Sequence, residues 1–336
     1  MSNLLADLLS KRDWLVADGA TGTNLFAMGL EAGEAPELWN TDAPDKIRAL
    51  YNGFIEAGSD TILTNSFGGT RARLKLHNAQ DRASELNRIA AELARECVDK
   101  AGRPVIVAGS MGPTGELLEP VGTLTHAAAV EMFQEQAEGL IAGGADVLWA
   151  ETISSEEEMR AASEAAANIG APFCGTMSFD TAGRTMMGVT SHGYAAIAGT
   201  LPATPIAFGA NCGTGAPDLM RTVLGLSEAA PDAVLIAKAN AGIPKYVNGI
   251  IEYDGTPELM GDYAVLARDA GARIIGGCCG SKPEHVRAIR TALETTPPGG
   301  RPSLDLIREK LGEFSSADDG ASGGEAPKRE RRRRRG

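Results

Sequence analysis

Apolar and β-branched residues gather in eight short runs along the chain. They are WLVADG (14–19), DTILTNSF (60–67), PVIVAGSMG (104–112), DVLWAET (146–152), PFCGTMSF (172–179), PIAFGANC (205–212), AVLIAKAN (233–240) and RIIGGCC (273–279). Each run is nearly continuous rather than alternating, the mark of strands buried on both faces, as in a parallel sheet. Between them, apolar residues recur at helical spacing over 43–57, 82–100, 126–142, 155–169, 217–229, 257–270 and 283–293. Ala57-Gly58, Ala101-Gly102 and Ala270-Gly271 supply the glycine that commonly ends a helix. The N-terminal MSNLLADLLSKRDW reads as one more short amphipathic helix. Eight β/α units in about 300 residues predict an α/β fold, a single (β/α)8 TIM barrel over residues 1–311. A doubly wound open sheet is the alternative, but no G-x-G-x-x-G follows the first strand.

Composition changes the picture at the end. From Gly312 the chain is rich in Ser, Gly, Ala and charge, and residues 331–335 are five consecutive arginines. Such a segment cannot bury enough surface to order itself, so 312–336 is expected to be a disordered tail. The whole chain carries a net charge of −12 despite that basic end. An acidic body disfavours nucleic acid as a partner, and the arginine run alone could touch an anionic surface. No apolar run approaches the roughly 18–20 residues of a membrane helix. The N-terminus lacks the basic start and long apolar stretch of a signal peptide, so a cytoplasmic location is expected.

In a barrel of this kind the chemistry sits at the C-terminal ends of the strands. There the chain places Asp18 to Thr23, Thr64 to Phe67, Glu151-Thr152, Asn211-Cys212-Gly213, Asn240-Ala241-Gly242 and Cys278-Cys279-Gly280. Cys212 ends the sixth strand and the cysteine pair ends the eighth, so only the seventh strand separates them. The flanking glycines let the backbone leave strand geometry and both adjacent sulfurs turn inward. Three thiolates without a fixed fourth protein ligand describe an open zinc site. The alternative, that they are small buried hydrophobes, suits Cys97 in a helix and Cys174 within a strand better.

DGATGT, GANCGTG, KANAGIP and GGCCGSKPEHVRAI together resemble the homocysteine S-methyltransferases, over roughly residues 12 to 293. That family is a zinc-dependent TIM barrel. The resemblance implies Cys212, Cys278 and Cys279 as zinc ligands, with Asn240 as a fourth, side-chain oxygen ligand when substrate is absent. It implies Glu151 as the partner of the homocysteine amino group. Asp18, Gly19, Ala20 and Thr21 belong to a loop whose backbone N–H groups could take the carboxylate, and Thr64 is a further candidate for it. The reaction implied is attack of the metal-held homocysteine thiolate on a methyl group carried by positive nitrogen or sulfur. The leaving group departs neutral, so no acid or base is required.

Glycine betaine is the expected donor, giving methionine and dimethylglycine. S-methylmethionine or another sulfonium, or a separate corrinoid protein, are the alternatives within the class. A quaternary ammonium seeks aromatic faces, and aromatics are scarce here, at 5% of residues. Trp39 matches the placement of a donor-pocket aromatic in betaine-using relatives. Phe67, Tyr246 and Tyr253 also fall near the rim. A homo-oligomer is compatible with this reading. From a different class, a non-catalytic zinc or redox-sensing barrel would use the same cysteines without needing Glu151 beside them.

Overall fold

The computed structural model describes residues 3–247 and 250–317. Eight parallel strands form one sheet: β1 (Leu15–Val16), β2 (Thr61–Leu63), β3 (Ile106–Met111), β4 (Val147–Ile153), β5 (Phe173–Met177), β6 (Ala207–Cys212), β7 (Leu235–Ala239) and β10 (Ala272–Gly277). The order is β1-β10-β7-β6-β5-β4-β3-β2. The two ends meet through a parallel bridge between Ala17 and Thr61, which closes the barrel. The sequence-predicted helices appear at Pro44–Ala57, Ala83–Asp99, His126–Ala142, Glu156–Asn168, Ala216–Ala229, Pro257–Asp269 and Pro283–Thr295. A further helix, Ser191–Ala198, joins β5 to β6, and another, Leu304–Leu311, follows the barrel.

Strand alternation sorts the interior. Leu15, Ala17, Ile106, Ala108, Val147, Trp149, Cys174, Ala207, Ile236 and Ile274 pack together inside the barrel. Leu5, Leu8 and Leu9 of the helix Leu4–Lys11 join this cluster near the strand starts, so that helix plugs the lower end. Because side chains two apart share a face, the same inward rows continue upward. They reach Ser110 on β3, Glu151 on β4, Asn211 on β6, Lys238 on β7 and Cys278 after β10. Alanine, leucine and aromatic side chains on the outer faces form the larger core against the helices. Cys97 and Cys174 are buried within these two cores, consistent with apolar filler.

Two features lie outside the repeating pattern. An antiparallel hairpin, β8 (Pro244–Val247) with β9 (Ile250–Tyr253), is inserted after β7. Beyond Gly312, Phe314 lies under the Arg221 guanidinium at 3.9 Å, and Ser315 N–H donates to Asp218. The rest of the expected tail, 318–336, falls outside the described residues.

Candidate metal and amino-acid site

Two strand ends bring three sulfurs together. Sγ atoms of Cys212, Cys278 and Cys279 all lie within 4.8 Å of one another, and Cys212 and Cys279 are 3.9 Å apart. Local backbone geometry makes this meeting possible. Cys212 leaves β6 at φ +63°, in the left-handed region, and Gly213 follows at +75°. Such a conformation is strained for a residue with a Cβ and survives only where its surroundings hold it. The second turn is tied down by Cys278 N–H to Ala239 O, Ala241 N–H to Cys279 O, and Ser281 N–H to Cys278 O. His285 starts the next helix by accepting from Lys282 N–H at 3.0 Å, and its other ring nitrogen meets Gly255 O at 2.9 Å. It caps the helix and is buried.

As free thiols the three are kept protonated. Within the trio, a hydrogen bond received from one cysteine lowers each of Cys212 and Cys279 and one shared with the other raises it. Mutual repulsion and burial settle both upward, at about 12. Cys278 is raised further by the same contacts and by Glu151. A cation placed among them would reverse this balance, because coordination deprotonates a thiol. Asn240 adds a second sign of fit: its Nδ2 donates to Gly213 O at 2.8 Å, while its buried Oδ1 has no hydrogen-bond partner. An orphaned buried carbonyl oxygen normally costs stability. Here it stands beside Cys212, where a metal could use it.

Among the inward rows lies a second group. Lys238 Nζ donates to Asp18 Oδ1 at 2.7 Å, and Asp18 Oδ2 accepts Leu63 N–H at 2.7 Å. Burial works to lower Lys238, but the charges of Asp18 and Glu151 outweigh it and raise the ammonium above its ordinary value. Ser110 Oγ donates to Glu151, whose carboxyl is pushed up by burial while Lys238 and Ser110 pull it back. Among the described residues Glu151 has no ion pair within 4.0 Å, so two acids share one lysine. Burial raises both acids above their ordinary values.

Not every expected residue joins this site freely. Thr64 Oγ1 is engaged by Ser66 Oγ at 2.6 Å and Ser110 N–H at 2.9 Å. Trp39 is buried in the outer core with Lys46 Nζ 4.2 Å above its ring. Ala20 N–H is taken by Ser281 O, whereas the short helix Gly22–Ala27 starts with no side-chain cap. Gly19 permits the loop's close passage: a Cβ there would lie 2.7 Å from both Ser281 O and the Phe54 ring. Tyr253 borders Cys279, and Phe67 packs on Gly112. Tyr246 falls outside the described side chains. Sequence reasoning placed Asn211 at the rim without a role and missed Lys238 and Ser110. Lys238 carried a readable signal, a lone lysine inside an apolar strand.

A closed parallel barrel thus carries, at its C-terminal rim, a thiol trio that could hold a metal ion beside two buried acids. The homocysteine S-methyltransferase family model matches residues 15–293, and the chain belongs to that family. The chain is similar to methionine synthase of Mycobacterium tuberculosis, 31% identical over 307 residues. That match covers 86% of this chain but 25% of the relative, so the chain spans a quarter of that protein's length. It is also similar to the homocysteine methyltransferase MmuM of Escherichia coli, solved in an oxidized and a metallated form. The identities are 26% and 25%, with a TM-score of 0.71 for each, covering 86% of this chain and 99% of that one. Among the described residues no helix is long and apolar enough to cross a membrane.

Proposed function

We propose that this protein transfers a methyl group from a small onium donor to the sulfur of homocysteine, giving methionine, with zinc held by Cys212, Cys278 and Cys279. The reading assigns the activity to the barrel unit, residues 1–311. The observation that carries it is the meeting of three sulfurs within 4.8 Å, beside the buried Lys238 and its acids Asp18 and Glu151. Soft thiolates favour zinc, and the unpartnered Asn240 Oδ1 offers a neutral oxygen for the position that substrate would take. The metallated form of the Escherichia coli enzyme supports the metal, and its name supports the acceptor.

Zinc, when bound, would supply the charge that keeps a substrate thiol deprotonated near neutral pH. The chain's own residues orient the substrate. Glu151, which has no ion pair within 4.0 Å among the described residues, pairs with the α-ammonium. Asp18 holds Lys238 and acts through it rather than by touching the amino group. Of the loop from Gly19 to Thr21, the N–H groups other than that of Ala20, together with the uncapped helix start at Gly22, take the α-carboxylate. Thr64 shapes this rim through Ser66 and Ser110. Since the leaving amine or sulfide departs neutral, orientation and exclusion of water carry the rate.

Glycine betaine is the first donor to test, with a sulfonium such as S-methylmethionine as the alternative. At Trp39 a donor cation would have to share the ring with Lys46, which weakens that residue as the donor subsite. The test is incubation with homocysteine and methyl-deuterated glycine betaine, read by mass spectrometry. Deuterated methionine is the expected product. Its absence with betaine, and its appearance with labelled S-methylmethionine, would move the donor to the sulfonium class. Its absence with both would overturn stand-alone transfer from a free onium compound and leave a protein-borne donor.

A further inference from the structure

The residue after Glu151 has a backbone that its own side chain opposes. Thr152 stands at φ +61°, in the left-handed region that a β-branched residue rarely enters. The ladder shows where this arises. Ala150 of β4 pairs with Gly175 of β5, and Ile153 pairs with Met177, so β4 advances three residues where β5 advances two. Glu151 and Thr152 therefore sit in a β-bulge. A bulge bends its strand and leaves one residue without its ladder partner. Its conformation sets the direction in which the Glu151 carboxylate points.

Strained backbone persists only where its surroundings over-determine it. Here one side chain from β6, with β5 between, holds Thr152 at two points. Asn211 is fully buried. Its Oδ1 accepts Thr152 N–H at 2.8 Å, and its Nδ2 donates to Thr152 Oγ1 at 2.7 Å. The amide orientation follows from the first of these bonds. A backbone N–H can only donate, so the oxygen must face it and the NH2 end must face the hydroxyl. The same Nδ2 also donates to Cys278 Sγ at 3.7 Å. One amide thus touches the bulge that carries Glu151 and one sulfur of the trio.

An amino-thiol substrate must reach Glu151 with its ammonium and the metal site with its sulfur at the same time. That is possible only if the two ends of the site stand at a fixed separation. We propose that Asn211 is a positioning residue for homocysteine. Through Thr152 it holds the β4 bulge that aims Glu151 at the substrate ammonium, and through Cys278 it ties that carboxylate to the metal site. The inference rests on the function proposed above.

The test uses the full chain as wild type, Asn211→Ala and Thr152→Val, each loaded with zinc and its metal content measured. Binding of homocysteine and of 4-mercaptobutanoate is read by isothermal titration calorimetry, which needs no methyl donor. The second ligand is homocysteine without its amino group, so it engages the metal but has nothing to offer Glu151. Asn211→Ala should weaken homocysteine about tenfold, the scale of outer-shell effects, and leave 4-mercaptobutanoate unchanged. Thr152→Val keeps the side-chain shape and removes only the hydroxyl. It should weaken homocysteine alone by about threefold, the worth of one neutral hydrogen bond. Equal losses for both ligands would mark a general loosening and overturn the inference, as would unchanged homocysteine binding in both variants. If Asn211→Ala fails to fold or to hold zinc, Thr152→Val decides, and an unchanged ratio of the two affinities overturns the inference. A wild-type protein that binds neither zinc nor homocysteine overturns the functional reading together with it.

Discussion

Glu151 shows how much one buried charge decides. Its carboxyl is raised above its ordinary value of 4.5 by burial, with Lys238 and the Ser110 hydroxyl opposing. A carboxyl raised in the folded state favours folding most at low pH. That contribution is full below the unfolded value and is lost as pH rises through the folded one. A substrate ammonium restores the lost balance on the alkaline side. Homocysteine should therefore raise the melting temperature more at pH 8 than at pH 5. Glu151→Gln should flatten that difference and raise KM about 10- to 100-fold, the worth of a charged hydrogen bond. An unaltered KM in the variant would remove Glu151 from the amino-group role. At this scale the cysteines were legible because glycines and strand ends coincide around them. Lys238 was not, because it sits within the nearly continuous apolar run AVLIAKAN, although a buried ammonium demands acidic partners. Those partners, Asp18 and Glu151, stand 220 and 87 positions away along the chain, beyond the reach of any local pattern.

Among the elements, the lower end of the barrel is held by charge as well as by the helix plug. Asp60, before β2, is fully buried and accepts Val16 N–H. Arg12 at 2.7 Å, Arg290 at 2.8 Å and Arg103 at 3.5 Å close around it from three segments. Asp60→Ala would leave three guanidinium groups facing one another. Because they are partly exposed, the loss should fall at the lower end of that for a broken buried pair, about 3 kcal/mol. Denaturant unfolding measures it, and a loss under about 1 kcal/mol would reduce the cluster to a surface ion pair. The helices were legible in the sequence because their burial repeats with the turn. The strands were legible as places but not as lengths: β1 and β2 have two and three residues, since ladder pairing stops where the loops begin. The hairpin β8–β9 was not anticipated, although the sequence places Asn-Gly at 248–249 between the runs KYV and IIEY, a hairpin signal.

For the molecule as a whole, the two ends of the barrel divide the work. The lower end carries the apolar plug and the Asp60 cluster, and the upper rim carries strained backbone, orphaned oxygen and sulfur. Fold and cysteine trio could be read from one sequence because both follow from regular repetition and its endings. The donor subsite could not, since it depends on how single aromatic rings pack in long loops. The central claim is that the thiol trio holds zinc and leaves a position for the substrate sulfur. X-ray absorption at the zinc edge tests it most directly, on the zinc-loaded full chain with and without homocysteine. The account predicts three sulfur neighbours at about 2.3 Å in the free protein and four once homocysteine is added. A sulfur count that does not rise on addition of homocysteine would contradict it.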